Sequence, residues 1–137
     1  MKAFLSLLCL ASFLAASLLG APAIVAHPDV KVSALSKEDA KNILLGTKSR
    51  WDDGTPIRLA VLKSGPSHEA AIQAYTSRST DQFEKFWKKQ VFTGKGIAPD
   101  SFDSEADLVA FVARTPGAVG YVGDAASAPA LKALPVN

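Results

Sequence analysis

Past residue 26 the sequence contains no cysteine, because its single one, Cys9, lies inside an apolar run near the start. Without a disulfide the remaining residues must be held by their core alone, which a single domain of this size can do. The same absence excludes a thiol nucleophile and a thiolate metal ligand. Lipidation at Cys9 is not expected, since Ser6-Leu7-Leu8 lack the small residue of a lipoprotein cleavage site and the apolar run continues past it. Histidine is almost as sparse, with only His27 and His68. Ser67, His68 and Glu69 are sequence neighbours, and adjacent side chains point in different directions, so they do not form a nucleophile, base and orienter. No cluster offers a metal site. The expectation is therefore a protein that is not an enzyme, with no catalytic residue, no metal and no cofactor.

Charge of one sign is lacking too. Once Lys2 is set aside, 14 basic residues face 13 acidic ones. That balance excludes a general attraction to nucleic acid or anionic lipid, so any anion site must be local. After the first apolar run no second stretch is long and apolar enough to cross a membrane.

What is present begins with that run. Met1-Lys2 gives a positive start, residues 3–19 are apolar apart from serines, and Gly20-Ala21-Pro22-Ala23 brings helix breakers and small residues. This pattern fits a secretory signal peptide over residues 1–26, cleaved after Ala26 or after Ala23. An uncleaved membrane anchor is the competing reading, but the run is just short of a bilayer span. Cleavage and export are preferred, which places the protein outside the cell, or in the periplasm of a Gram-negative bacterium. Residues 27–137 are then expected to form one domain.

Within it, Val30 and Val32 alternate with polar residues over 29–34 and suggest a short strand. Ser36-Lys37-Glu38-Asp39 caps a helix with Ala40, Ile43 and Leu44 on one face, stopped by Gly46. A turn-rich connection containing Trp51, expected to pack in the core, leads to a strand over 57–62. Ser79-Thr80-Asp81-Gln82 has capping-box spacing and opens a helix with Phe83, Phe86, Trp87 and Val91 inward and Glu84, Lys85, Lys88 and Lys89 solvated. Thr93-Gly94-Lys95-Gly96 lacks the spacing of a phosphate loop and excludes nucleotide binding of that kind. Residues 97–103 read as irregular. Ser104-Glu105-Ala106-Asp107 opens a further helix with Leu108, Phe111 and Val112 inward, ended by Thr115-Pro116-Gly117. Ala118-Val119-Gly120-Tyr121-Val122 is a strand whose glycine implies a close neighbour. The final residues form an edge strand or remain loose. Strands alternating with helices make this an α/β domain.

The most informative stretch joins the strand over 57–62 to the next helix through Lys63-Ser64-Gly65-Pro66-Ser67-His68. A helix start carries unpaired N–H groups and partial positive charge, so a small anion can settle there. Lys63, Ser64 and Ser67 add donors. The plain alternative is that Ser64 or Ser67 caps its own helix while Lys63 is solvated.

Five motifs in order carry a resemblance. They are Leu35-Ser36 with a helix ending in Ile43-Leu44-Leu45-Gly46, then Arg50-Trp51-Asp52-Asp53-Gly54, then the strand with its polar turn into a helix. Phe92-Thr93-Gly94-Lys95-Gly96 and Pro116-Gly117-Ala118-Val119-Gly120-Tyr121-Val122 follow. Together, over about residues 30–123, the chain resembles the phosphate-binding proteins of ABC transporters. The resemblance implies a single lobe of a periplasmic-binding-protein-like fold, a small mixed sheet flanked by helices. In that family two lobes close on a dehydrated oxyanion, and one supplies a basic residue with a serine, glycine and threonine at a helix start. Lys63 would stand for the basic residue, Ser64 and Gly65 for the serine and glycine, and Ser67 for the threonine, with His68 completing the ligand-binding set.

Three departures bear on this. Lysine lacks the planar fork of arginine, Pro66 removes a backbone donor, and Glu69 adds negative charge in the first turn. The family's glycine-rich opening segment is also missing. The resulting expectation is an exported solute-binding-type protein that takes phosphate or a similar oxyanion. The alternative is a non-catalytic interaction module on the same fold that has lost the ligand. Its partner would be another lobe, a second copy in a homodimer, or a membrane transporter component.

Overall fold

The computed structural model describes residues 21–137. Cys9 and the apolar run lie outside the described residues. The elements are β1 (Ala23–Ala26), α1 (Lys37–Leu44), β2 (Arg58–Leu62), α2 (Pro66–Thr76), α3 (Thr80–Phe92), β3 (Asp100–Phe102), α4 (Glu105–Arg114), β4 (Ala118–Val122) and β5 (Lys132–Leu134). Among the described residues no helix is long and apolar enough to cross a membrane.

Three helices start where a serine satisfies a first-turn N–H. Ser36 accepts from Asp39 N and Ser104 from Asp107 N, while Ser79 and Gln82 form a reciprocal capping box. Each such cap contributes about 1 kcal/mol and fixes where the helix begins. The strands make one mixed sheet in the order β3-β2-β4-β1-β5. β2 runs parallel to β3 and β4, whereas β1 is antiparallel to β4 and β5. Sheet and helices thus give the α/β lobe architecture that the motifs implied.

Alternation along β4 places helices on both sheet faces. A Cβ on Gly120 would lie 2.9 Å from Leu108 Cδ2 and 3.0 Å from Ala60 O, so α4 and β2 close directly over this glycine. Its neighbour Tyr121 points the other way, to His68 of α2. Leu108, Val112, Ile72 and Tyr121 are fully buried between these layers. Trp51 is buried as expected, and its indole N–H donates to Gly117 O at 3.0 Å. That bond joins two motifs far apart in sequence, and Gly117 is required there: φ is +82° and a Cβ would meet Pro56 O at 2.4 Å.

Several local expectations change. Residues 29–34 form no strand: Pro28 and Asp29 make a turn closed by Val30 N donating to His27 O, the stretch after it is irregular, and Leu35 bridges to Val136. Residues 97–103 are not wholly irregular, because Ala60, Val61 and Leu62 pair with Asp100, Ser101 and Phe102. Asp-Ser-Phe has no apolar alternation, so pairing with β2 alone makes it a strand. In α3, Phe83 is buried, Phe86 and Trp87 are partly buried, and Val91 is 45% exposed rather than inward. The Glu84–Lys88 and Asp81–Lys85 pairs confirm a solvated face.

The largest change concerns the domain's start. The boundary expected after Ala26 falls at the end of β1, and Ile24, Val25 and Ala26 are buried in the sheet. Ala23 pairs with Val122 and Ala26 with Val119, while Ile24 pairs with Leu134. Small and β-branched residues suit a processing site and a strand equally, and only pairing with β4 and β5 decides between them. The folded unit therefore includes residues ahead of His27.

Candidate functional site

In an open α/β sheet, ligands settle outside the carboxyl ends of the parallel strands. Here three segments meet at that edge: the turn from β2 into α2, the start of α4, and the residue after β4. α2 and α4 lie on opposite faces, and their first turns touch across the edge.

α2 differs from the other three α-helices at its start. Its N-cap is Gly65, with φ +107° and no side-chain cap, and Pro66 occupies the first turn. No partner from a capping side chain therefore screens its first N–H groups. Lys63, Ser64 and Gly65 are exposed. Lys63 N donates to Phe102 O at 3.0 Å, which fixes the turn to β3, and its ammonium lies 3.5 Å from Asp103.

Ser67 does not cap its helix. Its hydroxyl donates to Glu105 Oε2 at 2.5 Å, and the other oxygen, Oε1, accepts from Gly123 N at 3.1 Å. A Cβ on Gly123 would come within 2.7 Å of Ser67 Oγ, so only glycine lets this N–H and hydroxyl converge. The edge thus seats a carboxylate, supplied by the protein itself, on one hydroxyl and one backbone N–H. Charge-assisted bonds of this kind are short and strong.

His68 turns away from that edge. The residue is 6% exposed and its Nδ1 lies 2.5 Å from the Tyr121 hydroxyl, whose oxygen accepts from Leu62 N at 2.9 Å. Burial pushes the Tyr121 pKa up, so the hydroxyl keeps its proton. With Leu62 N–H directed at the oxygen, that proton goes to Nδ1, and the imidazole carries its own on Nε2. Burial pushes the His68 pKa down, against smaller upward pulls from Glu69 and Glu84. Below the ordinary value of 6.5, the unfolded chain takes up a proton that the folded chain does not. Stability therefore falls as pH drops through the window beneath 6.5, and this group has no effect above it. Urea unfolding at pH 7.5 and 5.5 checks this. His68→Gln, which accepts from Tyr121 without titrating, is expected to lose less stability between the two; an equal loss would assign the acid sensitivity elsewhere.

Of the five residues read from sequence as ligand-binding, Lys63, Ser64, Gly65 and Ser67 lie together at the edge. The side chain of His68 does not, and only its backbone N–H belongs to the first turn of α2. Sequence reading missed Glu105, Gly123 and Tyr121. Glu105 was legible only as a first-turn acid of its own helix, and nothing local ties it to a serine 38 residues away. Among the described residues no group of three or more potential ligands could hold a metal ion.

No protein-family model matches the chain, and no curated protein matches it. Solved structures do. An ABC-type phosphate transport receptor from Vibrio cholerae superposes with a TM-score of 0.64 at 14% identity, over 85% of this chain and 46% of that one. A putative phosphate ABC transporter substrate-binding protein from Clostridium perfringens, with bound phosphate, gives 0.66 at 17% identity, over 85% of this chain and 44% of the other. A possible phosphate binding protein from Planctomyces limnophilus gives 0.63 at 16% identity, covering 87% and 42%. At such identities the likeness is one of fold, and there it agrees with what the ordered motifs implied. The chain shares the fold of these structures and spans less than half the length of each.

Proposed function

We propose that this chain is an exported, non-catalytic solute-binding-type domain that takes a small oxyanion such as phosphate where α2 begins. The observation that carries the reading is the start of α2, opened by Gly65 with no side-chain cap at the carboxyl edge of the sheet. First-turn N–H groups and the helix dipole favour an anion there. Two further donors, the Ser67 hydroxyl and Gly123 N–H, are already directed at the two carboxylate oxygens of Glu105. Lys63, exposed and 3.5 Å from Asp103, adds a positive charge at the same turn. The likeness in fold to proteins described as phosphate receptors points the same way.

Thermal melts of a chain covering residues 21–137 in rising phosphate, with sulfate and chloride at matched ionic strength, test this. A micromolar site gives about 4 kcal/mol of stabilisation at a thousandfold excess of ligand, well above the general salting effect of phosphate. Ser67→Ala is expected to remove most of that shift. Lys95→Ala, in the turn after α3, is expected to leave it intact. Equal shifts in all three proteins would place the binding elsewhere.

A second reading has its own observation. Phe92 is 92% exposed and Ile97 91%, on either side of the turn that follows α3. Large apolar side chains left this open mark interaction surfaces. On that reading the fold serves to bind another lobe, a second copy or a membrane transporter component, since a fold can outlast its function. Sedimentation that shows a strict monomer over a wide concentration range would count against the second copy.

A further inference from the structure

Behind the α2 turn, the second half of α3, the end of β2 and the segment leading into β3 line an open cavity of about 780 Å³. Its wall is apolar, formed chiefly by Val61, Leu62, Phe83, Trp87, Val91 and Pro99. One buried polar side chain interrupts it, that of His68. The Tyr121 hydroxyl occupies Nδ1, so the ring edge that lines the cavity is the opposite one, bearing Nε2–H. Among the described residues Nε2 has no hydrogen-bond partner, although His68 is more than nine-tenths buried. Buried donors are ordinarily satisfied, and one facing a cavity is satisfied by what the cavity holds.

Lys88 pairs with Glu84 at 3.2 Å and Lys63 with Asp103 at 3.5 Å, so neither ammonium stands as a lone charge over the opening. Shape and chemistry together ask for an apolar body with one accepting atom. We propose that this cavity binds a small, neutral, largely apolar carbonyl compound, its oxygen on His68 Nε2–H and its body between Phe83 and Trp87. This second site is separate from the oxyanion reading, although Lys63 borders both.

Acetophenone and α-methylstyrene have nearly the same shape and differ in the accepting oxygen. Nitrogen–proton correlation spectra of the 21–137 chain at pH 7.5 follow both Trp87 and Trp51, the latter held against Gly117 well away from the cavity. Acetophenone is expected to shift the Trp87 indole and the His68 Nε2 signals saturably, to leave Trp51 in place, and to bind about fivefold tighter than the hydrocarbon. In His68→Phe that preference is expected to vanish while the hydrocarbon still binds. Should His68→Phe not fold, Val91→Trp, at an exposed position on the rim, is expected to abolish binding of both compounds. No shift at Trp87, equal affinity for the two compounds in the unaltered chain, or indifference to Val91→Trp would overturn the proposal.

Discussion

A chain that begins at His27 is expected not to fold, whereas one that begins at Ala21 melts cooperatively. The strand lost by the shorter chain is internal: β1 lies between β4 and β5. Ile24 and Val25 are buried, and burial of such side chains contributes about 1.5–3 kcal/mol each. Backbone bonds to two neighbours are lost as well, each worth about 1 kcal/mol. Among the described residues β5 would also lose the one strand it pairs with. The sum approaches the whole of a typical domain's stability, about 5–15 kcal/mol. Circular dichroism melts of the two chains decide the matter, and a cooperative transition within a few degrees for both would contradict it.

The same strand bears on export. Processing after Ala26 would strip β1 from the folded unit, whereas processing after Ala23 would leave Ile24, Val25 and Ala26 on it. We propose that any leader is removed ahead of Ile24. Should a leader be cleaved, the mass of the mature protein reads this out directly.

Glu105→Ala is expected to raise phosphate affinity about tenfold. In the unaltered chain this carboxylate holds the Ser67 hydroxyl and Gly123 N–H, the donors an oxyanion would use. It also places a negative charge where a second anion must come. Two such charges a few ångströms apart at a half-exposed edge repel by about 1–2 kcal/mol after solvent screening, and 1.4 kcal/mol is a factor of ten. The freed donors can reach water in the empty site. The loss of an acid from the first turn of α4 costs only about 0.3–1 kcal/mol, so the variant should fold. Calorimetric titration of both chains measures the ratio. Unchanged or weaker affinity in Glu105→Ala would mean that the carboxylate is part of the site's support and not its occupant.

How much of this was legible in the sequence depended on the range of the interaction. Ser36, Ser79 and Ser104 each act within three residues, and the helices begin where they predict. β2 and β4, buried apolar runs bounded by turns, were equally plain. β1 and β3 were not, because one has the composition of a processing site and the other no apolar pattern; each is a strand only through its neighbours. The candidate site divides in the same way. The α2 turn is a local pattern, while the Ser67–Glu105 bond spans 38 residues and the His68–Tyr121 bond 53. Only the parallel order of β2 and β4, with helices on both faces, brings those groups together. His68 therefore looked like a ligand donor beside Ser67, although its ring points into the interior.

The most direct test of the oxyanion reading is a phosphate titration of the 21–137 chain followed at each backbone amide, with chloride at matched ionic strength as reference. Binding at the α2 start predicts saturable shifts concentrated at Gly65, Ser67, His68 and Gly123, absent with chloride. Shifts that never saturate, or that gather on the lysine face of α3 instead, would contradict it.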